Sequence, residues 1–139
     1  MTRREAWSVS WLSVALPIAD RRHSFDFYGA LGLDRPGEPQ EDGVPEPLHV
    51  AIRDGVRLTL VPTEGFGWVL GGNRTPADSS SAHECILNLD VATSSEVDDW
   101  LERALEAGGT IHAGAERRAW GYTGMFADPD GHLWQVQAP

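Results

Sequence analysis

The side chains able to carry chemistry are few and scattered. They are five histidines (His23, His49, His83, His112 and His132), the single cysteine Cys85, Glu84 beside His83, Gln135, and the serine run Ser79 to Ser81. No H-x-x-x-H or C-x-x-C spacing joins them, so no metal-binding motif is written into the chain. The serines lack the strand–turn–helix setting of a nucleophile elbow and read as solvated loop residues. Cys85 lies in the apolar run Cys85-Ile86-Leu87 and reads as a core residue rather than a nucleophile. Glu84 is the candidate acid or base, since an apolar setting would raise its pKa toward the range useful for proton transfer. His23, His49, His112 and His132 read as structural or surface residues.

Alternating and helical patterns predict the elements that must position these groups. Val9 to Leu16 alternates as a strand, with Leu12, Val14 and Leu16 on one face and Trp11, Ser13 and Ala15 on the other. Asp20 is an N-cap, Phe25, Phe27, Tyr28 and Leu31 form a helical stripe, and Gly32 ends it. Residues 34 to 46 are rich in Pro, Gly and Glu and read as irregular or weakly extended. Two short apolar runs then flank Asp54-Gly55, a hairpin signal. Residues 62 to 82 read as a loop, in which Phe66 and Trp68 stand out. After it come a strand around Ile86 to Val91, a helix capped by Thr93 and Glu96, a short strand at Thr110 to Ala113, and two more around the turn Asp128-Pro129-Asp130-Gly131.

The halves, about 9–62 and 83–139, repeat one order: strand, helix, three strands. The hairpin turns match at an offset of 76, which carries Asp54-Gly55 onto Asp130-Gly131, Leu58 onto Trp134, Leu60 onto Val136 and Thr59 onto Gln135. The predicted fold is α+β: a single domain, 1–139, of two βαβββ modules that form a curved mixed sheet, a cup with helices on the outside, joined by the loop 63–82.

Composition narrows the partners. With 21 acidic against 11 basic side chains the formal charge is −10. Nothing in this balance offers phosphates a basic stripe, so nucleic acid is not an expected partner. Arg3 and Arg4 precede an apolar stretch, but Ser13, Pro17 and Asp20 interrupt it too soon for a signal peptide, and no run approaches a membrane span. One cysteine cannot form an internal disulfide, and the expected compartment is the cytoplasm.

Two stretches, Leu16-Pro-Ile-Ala-Asp20 with Ser24-Phe-Asp-Phe-Tyr28 and Trp120-Gly-Tyr-Thr-Gly-Met-Phe-Ala-Asp-Pro-Asp-Gly-His-Leu-Trp-Gln135, together with the doubled module, resemble the vicinal oxygen chelate superfamily, the glyoxalase, bleomycin-resistance and extradiol dioxygenase fold. In the enzymes of that family four inward strand positions hold a divalent metal that takes two vicinal substrate oxygens. The resemblance places those positions at Ser13, Thr59, Ile86 and Gln135. Two hydroxyls, a hydrocarbon and one amide cannot neutralise a divalent cation. No cofactor is therefore expected. If a divalent metal binds, its ligands are His83, Glu84 and Gln135. The resemblance also implies a homodimer.

Three readings follow. The first is a cup that binds a small hydrophobic or aromatic molecule, walled by Trp11, Ser13, Thr59, Phe66, Trp68, Trp120, Tyr122 and Gln135. The second is a lyase, isomerase or dioxygenase using Glu84 and Gln135, with or without metal. The third is an interaction module whose tryptophans serve packing and a dimer interface.

Overall fold

The computed structural model describes residues 8–139; Arg3 and Arg4 lie outside them. Seven strands and three helices follow in the order β1 (Leu12–Ile18), α1 (Arg21–Leu31), β2 (Leu48–Arg53), β3 (Val56–Pro62), α2 (Thr63–Leu70), β4 (Leu87–Asp90), α3 (Ser94–Glu106), β5 (Thr110–Arg118), β6 (Gly121–Ala127) and β7 (Leu133–Ala138). They build two mixed sheets, ordered β1–β3–β2 and β4–β7–β6–β5. The class is α+β. Among the described residues no helix is long and apolar enough to cross a membrane.

The doubled module is visible in the registers. In the first hairpin Leu48 stands opposite Leu60; in the second Gly124 stands opposite Val136, the same pair moved by the sequence offset of the turns. In each half the leading strand pairs parallel with the last one, β1 with β3 and β4 with β7. Parallel pairing requires a crossover, and α1 and α3 supply it.

The helices form where the caps predict. Asp20 Oδ1 accepts the His23 amide at 3.1 Å, and Gly32 ends α1 at φ +101, a backbone region that glycine enters without a Cβ penalty. In α3 the Thr93 hydroxyl accepts the Glu96 amide at 3.2 Å. Phe27, Tyr28 and Leu31 of α1 and Val97, Leu101 and Ala104 of α3 are buried, and they join Leu58 and Leu60 of one sheet and Phe126, Trp134 and Val136 of the other in a single core. α1 and α3 also pack against each other.

Four expectations are corrected. First, residues 34–46 form no full strand. They leave two isolated bridges, Asp34 to Ala51 and Pro39 to Pro45, so the described residues hold seven strands, not eight; Pro36, Pro39 and Pro45 lack the N–H a ladder needs. Second, residues 63–70 are helix α2, not loop. Phe66 and Leu70, four apart, lie against the β1 side, and Glu64 suits a helix N-terminus; tertiary contact outweighs the cost of Gly65 and Gly67, about 1 kcal/mol each. Third, the first strand begins at Leu12 and runs on through Pro17 to Ile18. Pro17 is tolerated because β1 is an edge strand. Fourth, Cys85 is exposed. β4 starts only at Leu87, so Cys85 and Ile86 precede the strand instead of packing in it, and Ile86 is 47% exposed.

Candidate functional site

Strand alternation gives each sheet a helix-facing side and an open side. On the open side of the three-stranded sheet stand Ser13 and Ala15 of β1, Arg57 and Thr59 of β3, and His49 and Ala51 of β2. Arg57 Nε donates to Ser13 Oγ at 2.7 Å, and its guanidinium lies 4.9 Å from the Trp11 ring centroid. His49 Nδ1 and Thr59 Oγ1 are 3.0 Å apart. Partial burial first, and the Arg57 charge second, hold the His49 imidazole below its ordinary pKa, so it is neutral at neutral pH. On the open side of the four-stranded sheet, Gln135 Nε2 donates to Asn88 Oδ1 at 2.8 Å, and Gln137 Nε2 donates to Asp90 Oδ1 at the same distance.

Of the four positions that the resemblance implied, Ser13, Thr59 and Gln135 are bonded to neutral or cationic neighbours, and the fourth, Ile86, is an exposed hydrocarbon. Asn88, not Ile86, stands beside Gln135 in the β4–β7 ladder, and Ala15, not Ser13, stands beside Thr59. Neutral amides and hydroxyls do not fit a divalent cation. His83 and Glu84 line one cavity, whereas Gln135 lines neither that cavity nor its neighbour. Among the described residues no three His, Cys, Asp or Glu side chains are grouped as metal ligands.

The larger cavity, about 540 Å³, lies between β1, α2 and the segment 74–85. Val14, Leu16, Phe66 and Leu70 make its apolar wall, and Arg74, His83 and Glu84 stand at its polar side. A second cavity of about 440 Å³ is lined by His23, His83, His112, Asp128 and Asp130, so His83 borders both. Between them the turn 128–131 is tightly held. His132 Nε2 lies 2.7 Å from the Pro17 carbonyl, and since a carbonyl only accepts, that nitrogen carries the proton. Asp130 Oδ1 accepts the Ala19 amide at 2.8 Å.

Of the residues singled out in the sequence, the structure brings Phe66, His83 and Glu84 together around the larger cavity. Trp11, Ser13 and Thr59 gather on one open sheet face, and Gln135 on the other. Trp68 is 84% exposed on α2 and Trp120 is 63% exposed at the β5–β6 turn. Tyr122 stands on the opposite side of its sheet from Gln135: it pairs with Ala138, and its hydroxyl donates to Asp98 Oδ1 of α3 at 2.8 Å. That bond, first among the causes, raises its pKa.

Sequence reasoning missed Arg57, Asn88, His49 and Arg74 as site groups. Two of them were within its reach. Arg57 lies two residues before Thr59 on one face, and folding the chain about Asp54 puts His49 opposite Thr59. Arg74 had no signal, because the segment holding it has no periodicity.

The model of the Glyoxalase/Bleomycin resistance protein/Dioxygenase superfamily matches residues 11–136. The chain belongs to that superfamily. An uncharacterized protein of Mycobacterium bovis, Mb0911c, is 31% identical over 133 residues, which span 92% of this chain and 82% of that protein. A glyoxalase-related enzyme from Fulvimarina pelagi superposes with a TM-score of 0.75 at 26% identity, over 91% of this chain and 86% of that one. TnmS3, an antibiotic binding protein from Streptomyces sp. CB03234, superposes with a TM-score of 0.61 at 26% identity, over 99% of both chains.

Proposed function

We propose that this superfamily member is a metal-independent binding protein for a small hydrophobic or aromatic molecule, held in the cavity between β1, α2 and residues 74–85. One observation carries the reading: a space of about 540 Å³ whose apolar wall of Val14, Leu16, Phe66 and Leu70 is met by a few polar groups, Arg74, His83 and Glu84. Ligand sites have that size and that ratio of apolar surface to orienting groups. The likeness to TnmS3, an antibiotic binding protein, supports the same class of activity. The reading includes a homodimer in the cytoplasm.

Titration with the neutral fluorescent probe N-phenyl-1-naphthylamine tests it. Binding in the micromolar range is expected, weakened about tenfold by Phe66→Ala or Leu70→Ala, the loss of about 1.4 kcal/mol of apolar contact. Trp68→Ala leaves it unchanged, since that ring points to solvent. Unaltered binding in both Phe66→Ala and Leu70→Ala overturns the assignment. Light scattering at micromolar concentration reads the mass, and a monomer refutes the dimer.

A second reading is favoured by the pairing of Glu84 and His83 on that same cavity wall, the residue types of general acid–base catalysis. It predicts turnover of an activated carbonyl or epoxide substrate that Glu84→Gln abolishes. Equal rates in wild type and variant refute it.

A further inference from the structure

Helix α2 is built unlike the other two. α1 and α3 each bury an apolar stripe, and each begins at a side chain that accepts a backbone amide of its first turn. α2 has no buried residue and no side-chain cap, since Pro62 stands at its N-cap position. Two of its eight residues are Gly65 and Gly67, and glycine is the weakest helix former after proline.

Its two ends are held differently. Thr63 Oγ1 donates to the Ile18 carbonyl at 3.1 Å and ties the first turn to the end of β1. Among the described residues α2 makes no other side-chain hydrogen bond. Gly71 and Gly72 follow the last turn, Gly71 at φ +87, and a Cβ on either would meet nothing within 4 Å. The helix therefore has an anchor at its start and a permissive joint in open space at its end.

What holds α2 down is the cavity wall. Phe66 and Leu70, one turn apart, face the space between β1 and residues 74–85, while Trp68 and Val69 on the other side are 84% and 74% exposed. Phe66 and Leu70 are only half-buried. A molecule in the cavity removes more of their surface from water, so filling the cavity favours the closed helix. An element with few buried contacts and weak propensity is where a fold opens first.

We propose that α2 is the lid of this cavity. It unwinds from the Gly71-Gly72 end toward the Thr63 anchor to admit a ligand, and re-forms over it. The inference rests on the cavity being the ligand site.

The double variant Gly65→Ala, Gly67→Ala tests it on the full chain. A Cβ on Gly65 would stand 3.5 Å from Val61 Cγ1, and one on Gly67 3.6 Å from Pro76 Cδ. Both are ordinary contacts, so the closed helix accepts the methyl groups and only its unwinding becomes harder. In stopped-flow with N-phenyl-1-naphthylamine, association and dissociation are both expected to slow about tenfold. The Kd changes less than either rate, because the lid is closed in the free and in the filled protein. Thermal melts confirm that the variant folds. Hydrogen exchange supplies the second readout. In the free wild type the amides of residues 67–71 exchange faster than those of α1 and α3, and saturating probe slows them. Probe binding with unchanged rates in the variant, α2 amides as protected as those of α1 and α3, or exchange unaffected by the probe each overturns the lid and leaves the cavity assignment standing. No probe binding at all overturns both.

Discussion

The Tyr28 hydroxyl donates a 2.6 Å hydrogen bond to Oδ2 of Asp128, a residue 100 positions further along the chain. The same hydroxyl accepts from Trp134 Nε1 at 3.1 Å, and the other Asp128 oxygen accepts the His132 and Asp130 amides at 2.9 and 3.0 Å. A helix of the first half is thus tied to the last hairpin of the second through one buried carboxylate. Tyr28→Phe keeps the ring but leaves an acceptor and a donor unpaired in the core. It is expected to cost about 2–3 kcal/mol, read as a lower urea midpoint at unchanged slope.

Asp128 gives that tie a pH dependence. Burial raises its carboxyl pKa above the ordinary value of 3.8, against the opposing pull of His132 and of the Tyr28 hydrogen bond. The folded protein therefore holds this proton more tightly than the unfolded chain. The contribution is fully present below the unfolded value and is lost as pH rises through the raised one. Asp128→Asn, which cannot ionise, removes it. Unfolding of both proteins between about pH 4 and 7 should show the wild type losing stability relative to the variant as pH rises; parallel profiles would refute it.

His49 titrates with the opposite sign. Its pKa is depressed by burial and then by Arg57, so its contribution to stability is present above the ordinary value of 6.5 and is lost as pH falls through the lower folded value. His49→Gln is expected to flatten the stability profile below neutrality. Direct titration of the imidazole by NMR checks this, and a value at or above 6.5 would contradict it.

Gly131 occupies the left-handed region at φ +93, and a Cβ there would stand 2.6 Å from the Ser79 carbonyl oxygen. Gly131→Ala is expected to cost more than about 1 kcal/mol. Because Ser79 lines the larger cavity, it also shifts the cavity wall. Reduced stability together with weaker N-phenyl-1-naphthylamine binding is the expected pair of results; a loss of stability alone would show that the loop moves without touching the site.

Much of this molecule was legible in residue order. The hydrophobic periods, the caps Asp20 and Thr93 and the turns Asp54-Gly55 and Asp130-Gly131 are local signals, and each acts within a few residues. They carried the α+β class, the doubled module and the hairpin registers. The edge of that legibility is seen at α2, where Gly65 and Gly67 speak against a helix and contact of Phe66 and Leu70 with the β1 region overrides them. Cys85 marks it too: an apolar run reads the same whether it packs inside a strand or precedes one. The site groups depended on pairing between distant strands. Asn88 meets Gln135, Arg57 meets Ser13 and Tyr28 meets Asp128 because parallel ladders and helix packing set registers that no local pattern encodes, and Phe66, His83 and Glu84 share a cavity because helix α2 and the irregular segment 74–85 close over an edge strand.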